Sequence, residues 1–148
     1  MKKNKLGILL FVIILGLAMI LTACQPAAQP PAPPAEPPAE ETIIVGFVYV
    51  GSTSDAGWSF AHDQGRIYME EQLPWVETLT AERVPPGADF DRVVREMIQQ
   101  GATVIFGTSF GYMDFMVALA EEFPEVIFMH CSGFKTAENM GTYFGRIE

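Results

Sequence analysis

The chain has 148 residues and a formal net charge of −9, and 49% of its residues are apolar, with 11 Phe, 4 Tyr and 2 Trp. That content excludes a chain that is disordered throughout and suits one domain with appendages. The acidity argues against nucleic acid, which selects basic surfaces.

The first 41 residues read as appendages. Lys2, Lys3 and Lys5 precede an apolar run, Leu6 to Ile20, that is short beside the roughly 20 residues of a spanning helix. Leu21-Thr22-Ala23-Cys24 follows and resembles the lipobox of bacterial lipoprotein signal peptides. Residues 1–23 are therefore expected to be a signal peptide, to be set aside from fold reasoning. Cys24 becomes the diacylated first residue and holds the protein at a membrane, facing out of the cytoplasm. Removing three lysines and no acid carries the formal charge from −9 to −12. The rest of 24–41 carries seven prolines in QPAAQPPAPPAEPPAEE and reads as an extended tether, roughly 50 Å long at about 3.1 Å per residue.

Residues 42–148 carry the periodicity of a folded domain. Ile43 to Val50 is an unbroken apolar, β-branched run, suited to a strand buried on both faces. Residues 51–58 form a polar loop holding Trp58, and 59–72 a helix ended by Pro74. A second strand is expected over 77–84, followed by the turn Pro85-Pro86-Gly87. Asp89 is expected to cap a helix over 90–100, where Phe90, Val93, Val94, Met97 and Ile98 make one apolar stripe. Gly101 suits that helix's end. A third strand, 103–106, leads into the loop 107–111; then come a helix over 112–122, a strand over 126–130, and a candidate fifth strand over 140–144. Strand and helix alternate, which predicts an α/β fold with an open, parallel, doubly wound sheet. Right-handed crossovers place the loops 51–58, 107–111 and 131–135 on one edge.

The loops offer little for catalysis. GSTSDAG at 51–57 lacks the dinucleotide pattern G-x-G-x-x-G, and neither a phosphate-binding G-x-x-x-x-G-K-[ST] loop nor a G-x-S-x-G nucleophile elbow occurs. His62, Asp63 and His130 make no metal-ligand spacing, so no metal and no cofactor are expected. Cys131 reads as a small buried hydrophobe, because alternation points the adjacent His130 to the other side of the strand. Binding fits better. Trp58 and Phe110 offer flat apolar faces, with Asp55, Ser59, Thr108, Ser109 and Asp114 as oriented polar groups, a combination suited to a flat heterocycle with polar edges. The alternative is that both aromatics cap the core.

Longer motifs carry a resemblance. G-F-V-Y-V-G at 46–51, D-A-G-W-S-F at 55–60 with Gly65, V-P-P-G-A-D-F at 84–90, F-G-T-S-F-G-Y-M-D at 106–114, A-E-E-F-P-E-V-I-F at 120–128 and S-G-F-K-T-A-E-N at 132–139 follow in order, and G-T-Y-F-G-R-I at 141–147 completes them. Residues 43–148 resemble the basic membrane protein family, the substrate-binding lipoproteins of ABC importers that include purine nucleoside receptors. The resemblance implies the N-terminal lobe of a type I periplasmic-binding-protein-like fold, no enzymatic activity, an ABC permease as partner, and a ligand enclosed between two lobes. The second lobe is expected to lie outside this sequence. The nucleoside receptors look like D-x-S-F-N in the first loop. On that pattern Asp55 takes the Asp place, Gly57 the Ser, Trp58 the stacking Phe and Ser59 the Asn, so a short hydroxyl replaces an amide. The implied ligand is a purine nucleoside, a nucleobase or another small solute. A one-lobed surface lipoprotein with a docking role is the alternative.

Overall fold

A computed structural model describes residues 42–145; the leader, Cys24, the proline-rich tether and residues 146–148 lie outside the described residues. The elements in chain order are β1 (Ile43–Val48), α1 (Trp58–Gln72), β2 (Val76–Ala81), α2 (Ala88–Gln99), β3 (Ala102–Gly107), a 3₁₀ turn (Phe110–Tyr112), α3 (Met113–Glu122), β4 (Ile127–Cys131) and β5 (Met140–Tyr143). The five strands form one sheet in the order β2-β1-β3-β4-β5, every neighbouring pair parallel. The fold is the expected open, parallel α/β sheet of one periplasmic-binding-protein lobe.

Several boundaries differ from the sequence expectation, each for a local reason. β1 stops at Val48 rather than Val50, although the Tyr49 amide still donates to Ala81 O at 2.8 Å. β2 covers 76–81 rather than 77–84, because Arg83 turns the chain at a φ of 54° and its amide donates to Gly51 O. Asp89 does not cap α2. Gly87, at a φ of 126° that favours glycine, precedes the helix, and Asp89 lies inside its first turn, where a carboxylate still suits the helix dipole. Gly101 does end that segment in the left-handed region, at a φ of 95°. Trp58 is the first residue of α1 and not a loop residue.

Alternation divides the side chains between two faces. α2 and α3 cover one face, burying Val48, Phe90, Val94, Ile105, Tyr112, Met116, Leu119 and Phe128. The Tyr112 hydroxyl donates to Val84 O at 2.5 Å, and its ring stacks on Phe90 at 4.0 Å. α1 packs on the other face over Val45, Phe47, Tyr49 and Val76, where Phe47 and Phe106 stack at 4.7 Å. The link from β4 to β5, residues 132–139, holds no helix. Asn139 anchors it, its Nδ2 donating to Val126 O at 2.8 Å and lying 3.0 Å from Ala120 O and Phe123 O.

Candidate functional site

The strand order reverses between β1 and β3, where the crossover to β2 leaves on one side and the path to β4 on the other. Open α/β sheets place ligands in the crevice that such a reversal opens at the carboxyl ends of the strands. The first loop is fixed there by its own polar groups. Glu82 accepts Ser52 Oγ at 3.0 Å, the Thr53 amide at 3.0 Å and Thr53 Oγ1 at 2.7 Å. Asp55 accepts the amides of Gly57 at 2.7 Å, Phe60 at 3.1 Å and Ser59 at 3.3 Å, so its carboxylate satisfies amides at the start of α1. The Gly57 amide above all, with those of Phe60 and Ser59, holds the Asp55 carboxyl below the usual carboxylate range. Buried Ser59 accepts the Gly51 amide at 3.2 Å.

Trp58 spans the crevice. Its indole N–H donates to Thr108 O at 2.5 Å, tying the start of α1 to the end of β3, while the residue stays 42% exposed. The Thr108 side chain turns inward, its hydroxyl donating to Val48 O at 2.9 Å, so that hydroxyl is engaged within the chain. Ser109 offers its carbonyl to His130 Nε2 at 2.7 Å. Phe110 is exposed beside Phe134, their centroids 6.4 Å apart. Exposed Asp114 pairs with Lys135 at 2.7 Å. Of the sequence candidates, then, Trp58 and Phe110 present open faces at this edge, while Asp55, Gly57, Ser59, Thr108 and Asp114 make contacts within the chain.

A cleft of about 440 Å³ adjoins Trp58, lined by Trp58, Ala61, His62, Cys131, Tyr143, Phe144 and Gly145. Sequence reasoning did not find His62, Cys131, Tyr143 or Phe144 as a group. Two signals were present. His62 follows Trp58 by four residues and so shares its helix stripe, and alternation turns Cys131 and Tyr143, which are paired in register, toward the face α1 covers. The Trp58 and His62 rings lie 4.8 Å apart, Trp58 and Phe144 6.3 Å, and His62 and Tyr143 6.2 Å. Cys131 Sγ lies 3.4 Å from His62 Nε2. Burial pushes the thiol up from its ordinary value, the opposite of an activated nucleophile. Among the described residues no cluster of three His, Cys, Asp or Glu is placed to hold a metal ion. A second cleft, about 560 Å³ and lined by Ala120, Glu121, Pro124, Ile127, Ala137, Glu138 and Asn139, starts from the amino end of β4, away from the reversal point.

Residues 42–148 match the family model described as Bmp, ABC transporter substrate-binding protein PnrA-like. The chain belongs to the Bmp family. Among its curated relatives it is similar to a putative ABC transporter glucose-binding protein of Haloferax volcanii, 48% identical over 107 residues, and to a purine-binding protein of Brucella abortus, 47% identical over 107 residues. Each alignment covers 72% of this chain, but only 27% of the first relative and 31% of the second, so the chain spans less than a third of their length. Among solved structures the Bmp chain resembles an ABC transporter solute-binding protein of Conexibacter woesei, with a TM-score of 0.63 at 15% identity over 70% of this chain and 35% of that one. It also resembles a transcriptional activator of the comK gene from Bacillus halodurans, with a TM-score of 0.59 at 22% identity over 67% of this chain and 33% of that one. At these identities the likeness speaks to the fold alone.

Proposed function

We propose that this domain is the N-terminal lobe of an extracytoplasmic solute receptor for an ABC importer, and that it holds a flat, purine-like ring against the exposed face of Trp58. The observation that carries the reading is the Trp58 indole itself. Its N–H is fixed on Thr108 O, so the ring is held rigidly across the crevice with part of its surface open. A fixed ring loses little conformational freedom on binding, and stacking contributes about 1–3 kcal/mol per base in nucleic-acid sites. The purine-binding relative supports this ligand class. The glucose-binding relative supports a sugar instead, since aromatic faces also receive sugar rings. The polar groups favour the purine. A sugar needs many free hydrogen-bonding partners, and here Asp55 and Thr108 are engaged within the chain and Asp114 with Lys135. The lobe does no chemistry in this reading. Cys24 carries the lipid anchor, and an ABC permease receives the solute.

Fluorescence of the intact protein tests the ligand. Trp75, at the amino end of β2 and away from the crevice, acts as an internal reference for Trp58. Adenine, guanine, adenosine or guanosine should quench saturably and glucose should not, with the response lost in Trp58→Ala that keeps its circular dichroism. Saturation by glucose alone would replace the purine with a sugar, and a purine response that survives Trp58→Ala would remove Trp58 from the site.

A further inference from the structure

The polar floor of the cleft has a hydrogen-bond direction that can be assigned from its end. His62 Nδ1 lies 2.8 Å from Trp58 O, and a carbonyl only accepts, so Nδ1 carries the ring proton. Nε2 of the neutral ring therefore presents a lone pair. The Cys131 thiol, 3.4 Å away, donates its S–H to that lone pair. Burial keeps the thiol protonated, and burial also pushes the Tyr143 hydroxyl well up from its ordinary value. All three groups line the cleft beside the Trp58 ring. Sulfur is a weak donor, so Nε2 is an acceptor readily surrendered to a stronger one.

We propose that His62 Nε2 sets the specificity of this cleft, accepting a ring or exocyclic N–H of a purine stacked on Trp58 in place of the Cys131 thiol. The proposal rests on the purine reading above. Because Nδ1–H is held on a backbone carbonyl, the ring is fixed as an acceptor toward the cleft. It selects a purine edge carrying hydrogen and disfavours one that presents a lone pair or an N-methyl group there. Cys131 has a defined part: its S–H occupies Nε2 while the cleft is empty and yields it on binding.

The sign of the two substitutions separates this role from a packing role. The intact wild-type protein, His62→Phe and Cys131→Ala, each checked for fold by circular dichroism, are titrated with adenine, hypoxanthine and their N-methyl isomers. In the wild type at least one methyl isomer should bind about tenfold or more weakly than its parent, as expected for a lost buried hydrogen bond. His62→Phe should bind the parent about as weakly and no longer distinguish that isomer. Cys131→Ala should bind the parent as well as the wild type or better, because no thiol competes for Nε2. Retained discrimination in His62→Phe, or a loss in Cys131→Ala equal to that in His62→Phe, overturns the assignment while leaving purine binding in place. A wild type that binds no purine removes the purine reading and this assignment together.

Discussion

Gly133→Ala is expected to destabilise the domain through His130 rather than through its own backbone. Gly133 is not in the left-handed region, so alanine is tolerable there by φ alone. A Cβ at this position, however, would lie 1.8 Å from His130 Nδ1 and 2.2 Å from Cε1, far inside contact distance. His130 is fully buried and its Nε2 is fixed on Ser109 O at 2.7 Å, so the ring has no free direction in which to move. Overpacking of this kind costs about 1–3 kcal/mol. If the ring gives way, the buried Nε2–H loses its acceptor for about another 1–3 kcal/mol. Together that is about 2–6 kcal/mol, a large part of the roughly 5–15 kcal/mol that holds a typical domain. Urea titration followed by tryptophan fluorescence measures it. The decisive control is the same substitution in a His130→Ala background, where the clash is absent and the added cost should fall below about 1 kcal/mol, a coupling that only residues in contact show. A Gly133→Ala protein as stable as wild type, or a cost unchanged in the His130→Ala background, would refute the reasoning.

Thr108→Val should cost about 1 kcal/mol by urea titration, since Val48 O keeps the Thr108 amide at 3.2 Å when it loses the hydroxyl. Purine affinity should be unchanged, and a loss of affinity at retained stability would return the Thr108 hydroxyl to the site. The Asp55 and Glu82 carboxyls are both held low in the fold, Asp55 by the Gly57, Phe60 and Ser59 amides and Glu82 by Thr53 and Ser52. Each therefore contributes stability that is complete above the ordinary carboxylate range and is lost as pH falls through its depressed folded value. Amide-exchange protection at Gly57, Ser59 and Phe60 should decline in acid ahead of that at Tyr112, and Asp55→Asn should abolish the difference.

Strands β1, β3 and β4 were legible as short, mainly apolar runs bounded by turn residues, whereas β2 (VETLTA) and β5 (MGTY) gave weaker signals, β5 being read from only Met140 to Phe144. The three loops on one edge followed from topology without any side-chain information. Element ends were less legible. Nothing in the run Val76 to Val84 announces that Arg83 takes a positive φ and turns the chain toward Gly51. Polar site residues were the hardest to assign, because residue type gives donor capacity and not its use. Asp55 and Thr108 read as groups for a ligand, yet one binds amides at the start of α1 and the other a carbonyl of β1. For Cys131 the sequence pointed only to adjacent His130. Its actual partner, His62, lies 69 positions away and meets it because α1 crosses the face that Cys131 shares.

The helices cover the two faces of the sheet unequally. Beneath α2 and α3 the strands are well buried, but on the other face α1 shields mainly β1 and β2, and Ile127 of β4 is 51% exposed there. The cleft beside Trp58 straddles the edge of that cover, with Trp58 and His62 on α1, Cys131 on β4 and Tyr143 on β5. A ligand that bridges the two would act as a rivet, fastening the helix to strands it does not itself cover.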